Sequence, residues 1–173
     1  MATMYYEQDA PIDGLKGKKV CVIGYGSQGH AHSQNLRDSG IEVSIAELEG
    51  TDNFKLAQEH GFAPTTIDKA MNGASLIIIT LPDELQGKIY ESSIKPNLKA
   101  GQTLGFCHGF NIHFGYIKPI PGVSVVMIAP KGPGHLVRSE YEKGGGVPCL
   151  IAVHTDGDGN AKKVALAWAN GIG

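Results

Sequence analysis

Residues 18–29 read KKVCVIGYGSQG, a short apolar run that ends in the pattern G-x-G-x-x-G at Gly24, Gly26 and Gly29. A helical pattern follows at once, so we predict a strand, a tight turn and a helix in that order. Here Gly24 permits the turn, Gly26 lets the backbone approach a pyrophosphate, and Gly29 lets the helix pack closely on the strand. The stretch therefore predicts a dinucleotide site at a helix N-terminus, where unpaired N–H groups favour phosphate oxygens.

An acidic side chain follows the second predicted strand, where such sites contact the adenosine ribose. The strand over 42–47 ends at Glu47, about 20 residues beyond the glycines. A carboxylate there accepts hydrogen bonds from ribose hydroxyls and repels a 2′-phosphate. Glu49 adds negative charge, and no lysine or arginine occurs between Arg37 and Lys55. The pattern favours NAD(H) over NADP(H); the alternative is that both glutamates are ordinary solvated loop charges.

The composition is that of one globular domain. The chain has 173 residues, of which 42% are hydrophobic and 18% charged, with a formal net charge of −2. This charge does not favour nucleic-acid binding, and we find neither an apolar run of about 20 residues nor a signal peptide. Cys21, Cys107 and Cys149 are far apart in the sequence. We interpret them as buried, reduced thiols of a cytoplasmic protein.

Strand and helix patterns alternate from Lys18 onward, which predicts a Rossmann-type, doubly wound α/β fold: a mostly parallel sheet with helices on both faces. An N-terminal arm over 1–17 precedes it, from which Tyr5, Tyr6 and Leu15 are expected to dock on the core. Strands are predicted over 19–23, 42–47, 75–80, 102–107, 123–128 and 148–153, and helices over 27–39, 53–60, 66–72, 83–93 and 160–170.

The unusual polar, glycine and proline clusters follow the predicted strands. They are residues 24–29, 47–53, 81–84, 108–111 and 129–135. Because ligands of such sheets bind beyond the carboxyl ends of the strands, these clusters are expected to form one connected site.

Several side chains in these clusters are candidates for chemistry. His108 precedes a glycine and could act as a general acid or base, or it could be a structural histidine bonded to loop carbonyls. Asp83 could cap the next helix. Lys131 could meet an anionic group or be solvated. We expect His113 and His135 to flank the same cleft.

Two histidines and the tryptophan are assigned structural roles. His30 and His32 start the first helix, where we expect packing or capping rather than metal binding, because residues two apart do not share a helix face. Trp168 lies in the last predicted helix and is expected in the core.

The motifs together resemble the ketol-acid reductoisomerase (acetohydroxyacid isomeroreductase) family, specifically its N-terminal domain. They occur in the family's order and span nearly the whole chain. The matching segments are residues 24–32, 81–84, 107–113, 128–135 and 144–148.

The resemblance implies an oxidoreductase of valine, leucine and isoleucine biosynthesis. Members convert 2-acetolactate or 2-aceto-2-hydroxybutyrate to a 2,3-dihydroxy acid by Mg²⁺-dependent alkyl migration and hydride reduction. It further implies an acetohydroxy acid as the small-molecule partner and a homo-oligomeric complete enzyme. The charge and the lack of a long apolar run predict no nucleic-acid or membrane partner.

The resemblance also implies site residues, with His108 as the catalytic histidine. The pyrophosphate would be cradled in the glycine loop by Tyr25, Gly26, Ser27 and Gln28. Contacts near the nicotinamide half of the cofactor are implied for Leu81, Pro82, Asp83, Glu84, Leu85, Gln86 and Gly134.

Family members usually carry basic or hydroxyl residues after the second strand, which hold a 2′-phosphate. The matching positions here are Leu48, Glu49, Thr51 and Asn53, directly after Glu47. This departure predicts that NADH is preferred, with NADPH use left open.

A second departure concerns the metal. The family's Mg²⁺ ligands lie on helices of a C-terminal domain, and this chain stops at Gly173. The late acids Glu140, Glu142, Asp156 and Asp158 are expected on loops, so no metal site is assigned. We expect the 173 residues to be the cofactor domain alone, inactive and monomeric by itself, with Mg²⁺ bound only in the complete enzyme.

Two alternative functions remain at this point. One is a different β-hydroxyacid-type dehydrogenase domain, a group that does not usually carry the segment His108–His113. The other is a standalone NAD-binding module without catalytic activity.

Overall fold

Six strands form one sheet in the computed structural model, which describes residues 3–173. The apolar residues of the central strands are buried on both faces of the sheet, as in a parallel sheet covered by two helical layers, whereas the last strand exposes Leu150 and Val153. The strands are β1 (Lys19–Ile23), β2 (Glu42–Ala46), β3 (Ala74–Ile79), β4 (Thr103–Phe106), β5 (Ser124–Pro130) and β6 (Cys149–Thr155).

Seven α-helices connect or follow these strands. They are α1 (Ser27–Asp38), α2 (Asp52–Glu59), α3 (Ile67–Met71), α4 (Asp83–Ile89), α5 (Phe110–His113), α6 (Gly134–Glu142) and α7 (Ala161–Gly171). A π-helical turn over Tyr90–Ile94 and a 3-10 turn over Lys95–Asn97 prolong α4, and two further 3-10 turns, Glu7–Asp9 and Ile12–Gly14, precede β1. Within residues 3–173, no helix is both long enough and apolar enough to cross a membrane.

The strand order is β2-β1-β3-β4-β5-β6, with β6 antiparallel to β5 and every other pair parallel. At the carboxyl end of β1, Ile23 pairs with Ala46 of β2 on one side and with Ile79 of β3 on the other. The strand β2 therefore lies on one side of β1, and the strands that follow it in the chain lie on the other side. Such a switch point opens a crevice at the carboxyl ends of the strands.

Alternate residues of the central strands pack into two separate cores. Val22 lies in one core with Leu36 of α1 and Trp168 of α7. Ile23 lies in the other core with Tyr90, which follows α4. All five side chains are 0% or 1% exposed, so the two helical layers hold the carboxyl end of β1, from which the glycine loop leaves, on both faces of the sheet.

The Rossmann-type fold is confirmed, and each predicted strand and helix is present with modest shifts at its ends. Three features were not predicted. The helix α5 was missed because its four residues form a single turn, too short to show a helical pattern. The helix α6 was missed because Gly132, Pro133 and Gly134 have the pattern of a loop. Proline is nevertheless tolerated at the start of a helix, where its missing N–H group would have no partner within the helix. The antiparallel direction of β6 was also missed, since an alternating pattern does not encode strand direction.

The predicted docking of the N-terminal arm is only partly correct. Leu15 is fully buried, whereas Tyr5 and Tyr6 are 37% and 58% exposed. Tyr5 packs instead beneath a surface cation, with Nζ of Lys162 4.9 Å from its ring centroid. The three cysteines are free thiols, and burial raises the pKa of Cys21 and of Cys107 to about 12.

Candidate functional site

The glycine loop lies at the switch point, between the end of β1 and the start of α1. Gly24 has a φ of 95°, a left-handed conformation that favours glycine. At Gly29 a Cβ would collide with the carbonyl of Gly24, so the first turn of α1 packs directly on the loop. Around Gly26 a Cβ would meet nothing within 4 Å, and among residues 3–173 no side chain caps α1. The start of α1 therefore has both open space and backbone N–H groups without a side-chain cap, and this is where a pyrophosphate would bind.

Thr80, directly after β3, anchors this loop and was not predicted from the sequence. Its hydroxyl lies 3.0 Å from the carbonyl oxygen of Ile23 and 2.9 Å from that of Gly24. A Cβ at Gly29 would approach the same hydroxyl to 2.7 Å. The only sequence signal was a hydroxyl residue directly after the apolar run over 76–79, which does not reveal its partner.

The Tyr25 side chain points away from the cofactor space. It is 0% exposed, its ring packs on Phe62, and its hydroxyl lies 3.0 Å from Nδ1 of His60. Burial raises the pKa of Tyr25, and burial together with the nearby His30 lowers the pKa of His60. The Tyr25 hydroxyl and Nδ1 of His60 share this hydrogen bond, so the Tyr25 side chain is not presented to a pyrophosphate.

Glu47 connects the end of β2 to the glycine loop. Its Oε2 accepts a hydrogen bond of 2.7 Å from the backbone N–H of Tyr25, and its Oε1 accepts one of 2.8 Å from the N–H of Leu48. The residue is partly buried, whereas Glu49 is exposed. Glu47 is therefore an ordered acceptor beside the loop, and only Glu49 fits the description of a solvated charge.

The remaining residues of the β2–α2 loop differ in what they offer a ligand. Thr51 accepts a hydrogen bond of 3.1 Å from the N–H of Phe54 and donates one of 2.8 Å to the carbonyl of Leu48. Its hydroxyl therefore serves as the cap of α2. Leu48 is 73% exposed and Asn53 is exposed in the first turn of α2, so both side chains are accessible.

His108 and Asp83 are brought together from neighbouring strands. His108 follows β4 and Asp83 starts α4 after β3; Nδ1 of the histidine lies 3.1 Å from Oδ2 of the carboxylate. The His108 side chain is 66% exposed. Asp83 does not cap α4, whose N-cap is Pro82, so the predicted capping role is wrong.

The other predicted residues of this segment separate into exposed and buried groups. Glu84 and Pro82 are exposed, Leu85 is 47% exposed, and Leu81 is partly buried. Gln86 is 4% exposed and bonded to protein groups, so its side chain is not presented to a cofactor.

The β5–α6 loop closes the site from the far side. At Gly134 a Cβ would collide with the carbonyl of Ser27, and its N–H donates a hydrogen bond of 3.0 Å to the Ser27 hydroxyl. Nε2 of Gln28 donates a second bond of 3.0 Å to the carbonyl of Gly132. The first turn of α1 is therefore fastened to this loop, and the Gln28 side chain is used in that contact.

A buried chain of polar groups supports Gln28 from behind. The indole N–H of Trp168 donates to Nδ1 of His32 at 3.1 Å, and Nε2 of His32 lies 3.1 Å from Oε1 of Gln28. Complete burial lowers the pKa of His32 to about 3. His32 is thus a neutral structural histidine, as predicted, and Trp168 is in the core.

The other candidate histidines and the lysine lie at the edges of the site. His113 lines a cleft of ≈ 300 Å³ together with Phe106, Gly109, Met127 and His154. His135 and Lys131 are exposed on or near the first turn of α6.

The late acids are not all on loops. Glu140 and Glu142 lie in α6, which corrects the prediction for that pair, and they are two residues apart rather than on one helix face. Among residues 3–173 no three histidine, cysteine or acidic side chains converge as a metal site.

Comparisons with known proteins agree with this geometry. A family model described as "Acetohydroxy acid isomeroreductase, NADPH-binding domain" matches residues 14–173. A solved NADH-preferring ketol-acid reductoisomerase from an uncultured archean is 45% identical, with a TM-score of 0.92 over 95% of this chain and 51% of that one. The chain thus spans about half the length of that relative.

More distant structures share the fold alone. A semialdehyde dehydrogenase NAD-binding protein from Cupriavidus necator is 23% identical, with a TM-score of 0.73 over 90% of this chain and 59% of that one. The 3-hydroxyisobutyrate dehydrogenase of Mycobacterium tuberculosis is 14% identical, with a TM-score of 0.65 over 88% and 51% of the two chains.

Proposed function

The chain belongs to the acetohydroxy acid isomeroreductase family, and from that premise we propose that it binds NADH in preference to NADPH, as the cofactor-binding part of a ketol-acid reductoisomerase. One observation carries the preference. The Glu47 carboxylate is held against the glycine loop, 2.7 Å from the N–H of Tyr25, at the end of β2 where an adenosine ribose would lie. A 2′-phosphate placed there would meet a fixed negative charge.

The surroundings of Glu47 support the same preference. No lysine or arginine occurs between Arg37 and Lys55. The hydroxyl hydrogen of Thr51 is donated to the carbonyl oxygen of Leu48, so using it for a phosphate would break that bond. The relative that is 45% identical is NADH-preferring, which agrees with the proposal.

The cofactor fits the residues that would hold it. Gly26 leaves open space at the uncapped end of α1, and Gly134 brings the β5–α6 loop against that end. A bound NADH would supply hydride. The chain's own residues would bind and orient it: backbone N–H groups for the pyrophosphate and Glu47 for the ribose hydroxyls.

His108 is the residue proposed to handle a proton in the reaction. It is exposed at the carboxyl end of β4 and paired with Asp83, on the side of the site away from β2. An imidazole can act as a general acid or base, and Nε2 is the ring nitrogen that is not paired with Asp83.

The proposal for the longer protein is broader. It would be a cytoplasmic homo-oligomer that converts 2-acetolactate or 2-aceto-2-hydroxybutyrate with Mg²⁺. The residues described here bring no three metal ligands together, so we assign no step to the metal within this chain.

Calorimetric titration of the 173-residue chain with NADH and, separately, NADPH tests the proposal directly. We expect NADH to bind more tightly. A Gly26→Val variant is the control and should bind neither cofactor. Its side chain would fill the open space beside the start of α1, and no neighbouring atom lies within 4 Å of its Cβ. Tighter NADPH binding would overturn the preference, and binding of neither cofactor would overturn the claim that these residues form a complete cofactor site.

Turnover is tested separately in the longer protein. We expect NADH oxidation that depends on both 2-acetolactate and Mg²⁺. NADH binding without such oxidation would favour the alternative of a binding module that lacks catalytic activity.

A further inference from the structure

Two buried side-chain amides lie directly behind the Asp83–His108 pair. Gln86 of α4 is 4% exposed and Asn111 of α5 is 2% exposed. Nδ2 of Asn111 lies 3.1 Å from Oε1 of Gln86, so the two amides bond to each other across the two helices. Buried amides in an apolar layer are costly unless each donor finds an acceptor.

Every amide hydrogen of this pair has an acceptor. Nε2 of Gln86 lies 2.7 Å from the carbonyl oxygen of Leu81 and 3.2 Å from Oδ1 of Asp83. Nδ2 of Asn111 lies 3.0 Å from the carbonyl oxygen of Asp83, in addition to its bond to Gln86. Asp83 is therefore held at both its backbone and its side chain, and the contacts fix which way its carboxylate faces.

The two carboxylate oxygens of Asp83 have different partners. Oδ1 accepts from the buried Gln86, and Oδ2 faces Nδ1 of His108 at 3.1 Å. Four side chains thus form a hydrogen-bonded chain from the interior to the exposed imidazole, in the order Asn111, Gln86, Asp83 and His108.

The imidazole has two competing contacts at a single nitrogen. The backbone N–H of Phe110 also points at Nδ1 of His108, at 3.3 Å. A protonated Nδ1 can donate to Asp83 but cannot accept from Phe110, and an unprotonated Nδ1 can only do the reverse. The contact to Asp83 is shorter and involves a charged acceptor, so it is the stronger of the two.

We propose that Gln86 and Asn111 are positioning residues that aim the Asp83 carboxylate, and that this carboxylate holds His108 in its Nδ1–H tautomer. The other ring nitrogen is then a free acceptor. Within residues 3–173, Nε2 of His108 makes no hydrogen bond. The inference deepens the proposed function, and its meaning for catalysis rests on that function. It assigns Gln86 to the support of His108 rather than to contact with the cofactor.

A purely structural role for the amides would only join α4 to α5. That role predicts a loss of stability when Gln86 is changed, with no effect on the protonation site of His108. The positioning role predicts a change at His108 itself, so the tautomer distinguishes the two.

Long-range ¹H–¹⁵N correlation spectra of the 173-residue chain, recorded where His108 is neutral, measure the tautomer without any turnover. We expect the Nδ1–H form to predominate in the wild type. Asp83→Ala removes the acceptor and should move the tautomer ratio toward Nε2–H by about tenfold or more, because a hydrogen bond to a charged group is lost. Gln86→Met should move the ratio in the same direction by a smaller factor.

Gln34→Met is the matched control, because Gln34 is also buried in a helix and makes one side-chain bond, to the carbonyl of His30. It should leave the His108 signals unchanged. Should Gln86→Met fail to fold, Asp83→Ala still tests the carboxylate, since Asp83 is 35% exposed and Gln86 keeps its shorter bond to the carbonyl oxygen of Leu81.

Either of two results overturns the inference: a wild-type His108 that is mainly Nε2–H, or a ratio unaffected by Gln86→Met in a folded variant. Failure of the proposed function would look different. In that case the tautomer would behave as expected while His108→Ala left turnover of the longer protein intact.

Discussion

The carboxylate of Glu47 accepts a 2.7 Å hydrogen bond from the backbone N–H of Tyr25, which ties the end of β2 to the glycine loop at the end of β1. A simple charge reversal at Glu47 would break this contact and confuse structural damage with a change in cofactor preference. Glutamine at this position keeps one acceptor oxygen for the N–H of Tyr25, and it removes the charge together with the bond from the exposed Leu48.

Glu47→Gln combined with Glu49→Lys should therefore shift cofactor preference toward NADPH. We expect the ratio of NADPH to NADH affinity to rise by about tenfold, equivalent to about 1.4 kcal/mol. Calorimetry with both cofactors measures it. Glu42→Gln, at the exposed start of β2, is the control; an unaltered ratio in the double variant would mean that these charges do not select the cofactor.

His108→Ala should slow turnover in the longer protein with little loss of cofactor affinity. The loss of a general acid or base is expected to reduce kcat by about 10²- to 10⁴-fold. Steady-state kinetics and NADH titration separate the two effects. His135→Ala, an exposed histidine on α6, serves as the comparison; unchanged kcat in the His108 variant would remove that residue from the catalytic role.

Two alanine substitutions in the glycine loop should fail in different ways. Gly29→Ala places a Cβ against the Gly24 carbonyl and the Thr80 hydroxyl, so we expect unfolding free energy to fall by about 1–3 kcal/mol. Gly26→Ala meets no atom within 4 Å and should change stability by no more than about 0.5 kcal/mol.

The affinity for NADH tests the open space at Gly26. Gly26→Ala should weaken NADH binding by about tenfold or more, because its methyl group lies where the backbone must approach the pyrophosphate. Denaturant unfolding and calorimetry together report both quantities. A Gly26→Ala variant that binds NADH normally would place the pyrophosphate elsewhere.

His32 should make the folded state sensitive to acid. Burial lowers its pKa from 6.5 to about 3 in the folded chain, so between these values the unfolded chain binds more protons and stability rises with pH. On acidification below pH 6.5, this one group contributes a loss of up to about 1.4 kcal/mol per pH unit. The contribution ends near pH 3, where the folded form is also protonated.

Urea unfolding at a series of pH values checks the His32 contribution. His32→Asn should be less stable at neutral pH, since a cavity forms beside Trp168, but its stability should fall less steeply with acid. The exposed His135→Asn should retain the wild-type slope. Equal slopes in all three proteins would contradict a neutral, buried His32.

Local patterns were sufficient to predict the parts of the site that depend on backbone. The turn at Gly24 and the position of Glu47 were predicted because glycine spacing and strand ends are encoded within a few residues. The position of His108 after a strand made it a candidate, to which the resemblance added a catalytic role, and its side chain is 66% exposed.

Side-chain direction could not be predicted in the same way. Tyr25 and Gln86 lie in cofactor motifs, yet both side chains turn inward, toward His60 in one case and Asn111 in the other. Those partners are 35 and 25 residues away in sequence. Only the packing of neighbouring strands and helices decides such contacts, so no local pattern reveals them.

The contact of Trp168 with His32 has a practical consequence, because this is the chain's single tryptophan. All indole emission comes from one buried site, which is linked through His32 and Gln28 to the loop beside the glycines. The protein thus contains an intrinsic fluorophore. Its emission would report unfolding as a red shift, and because reduced nicotinamide absorbs in the same spectral region, arrival of the cofactor would be visible as energy transfer without any added label.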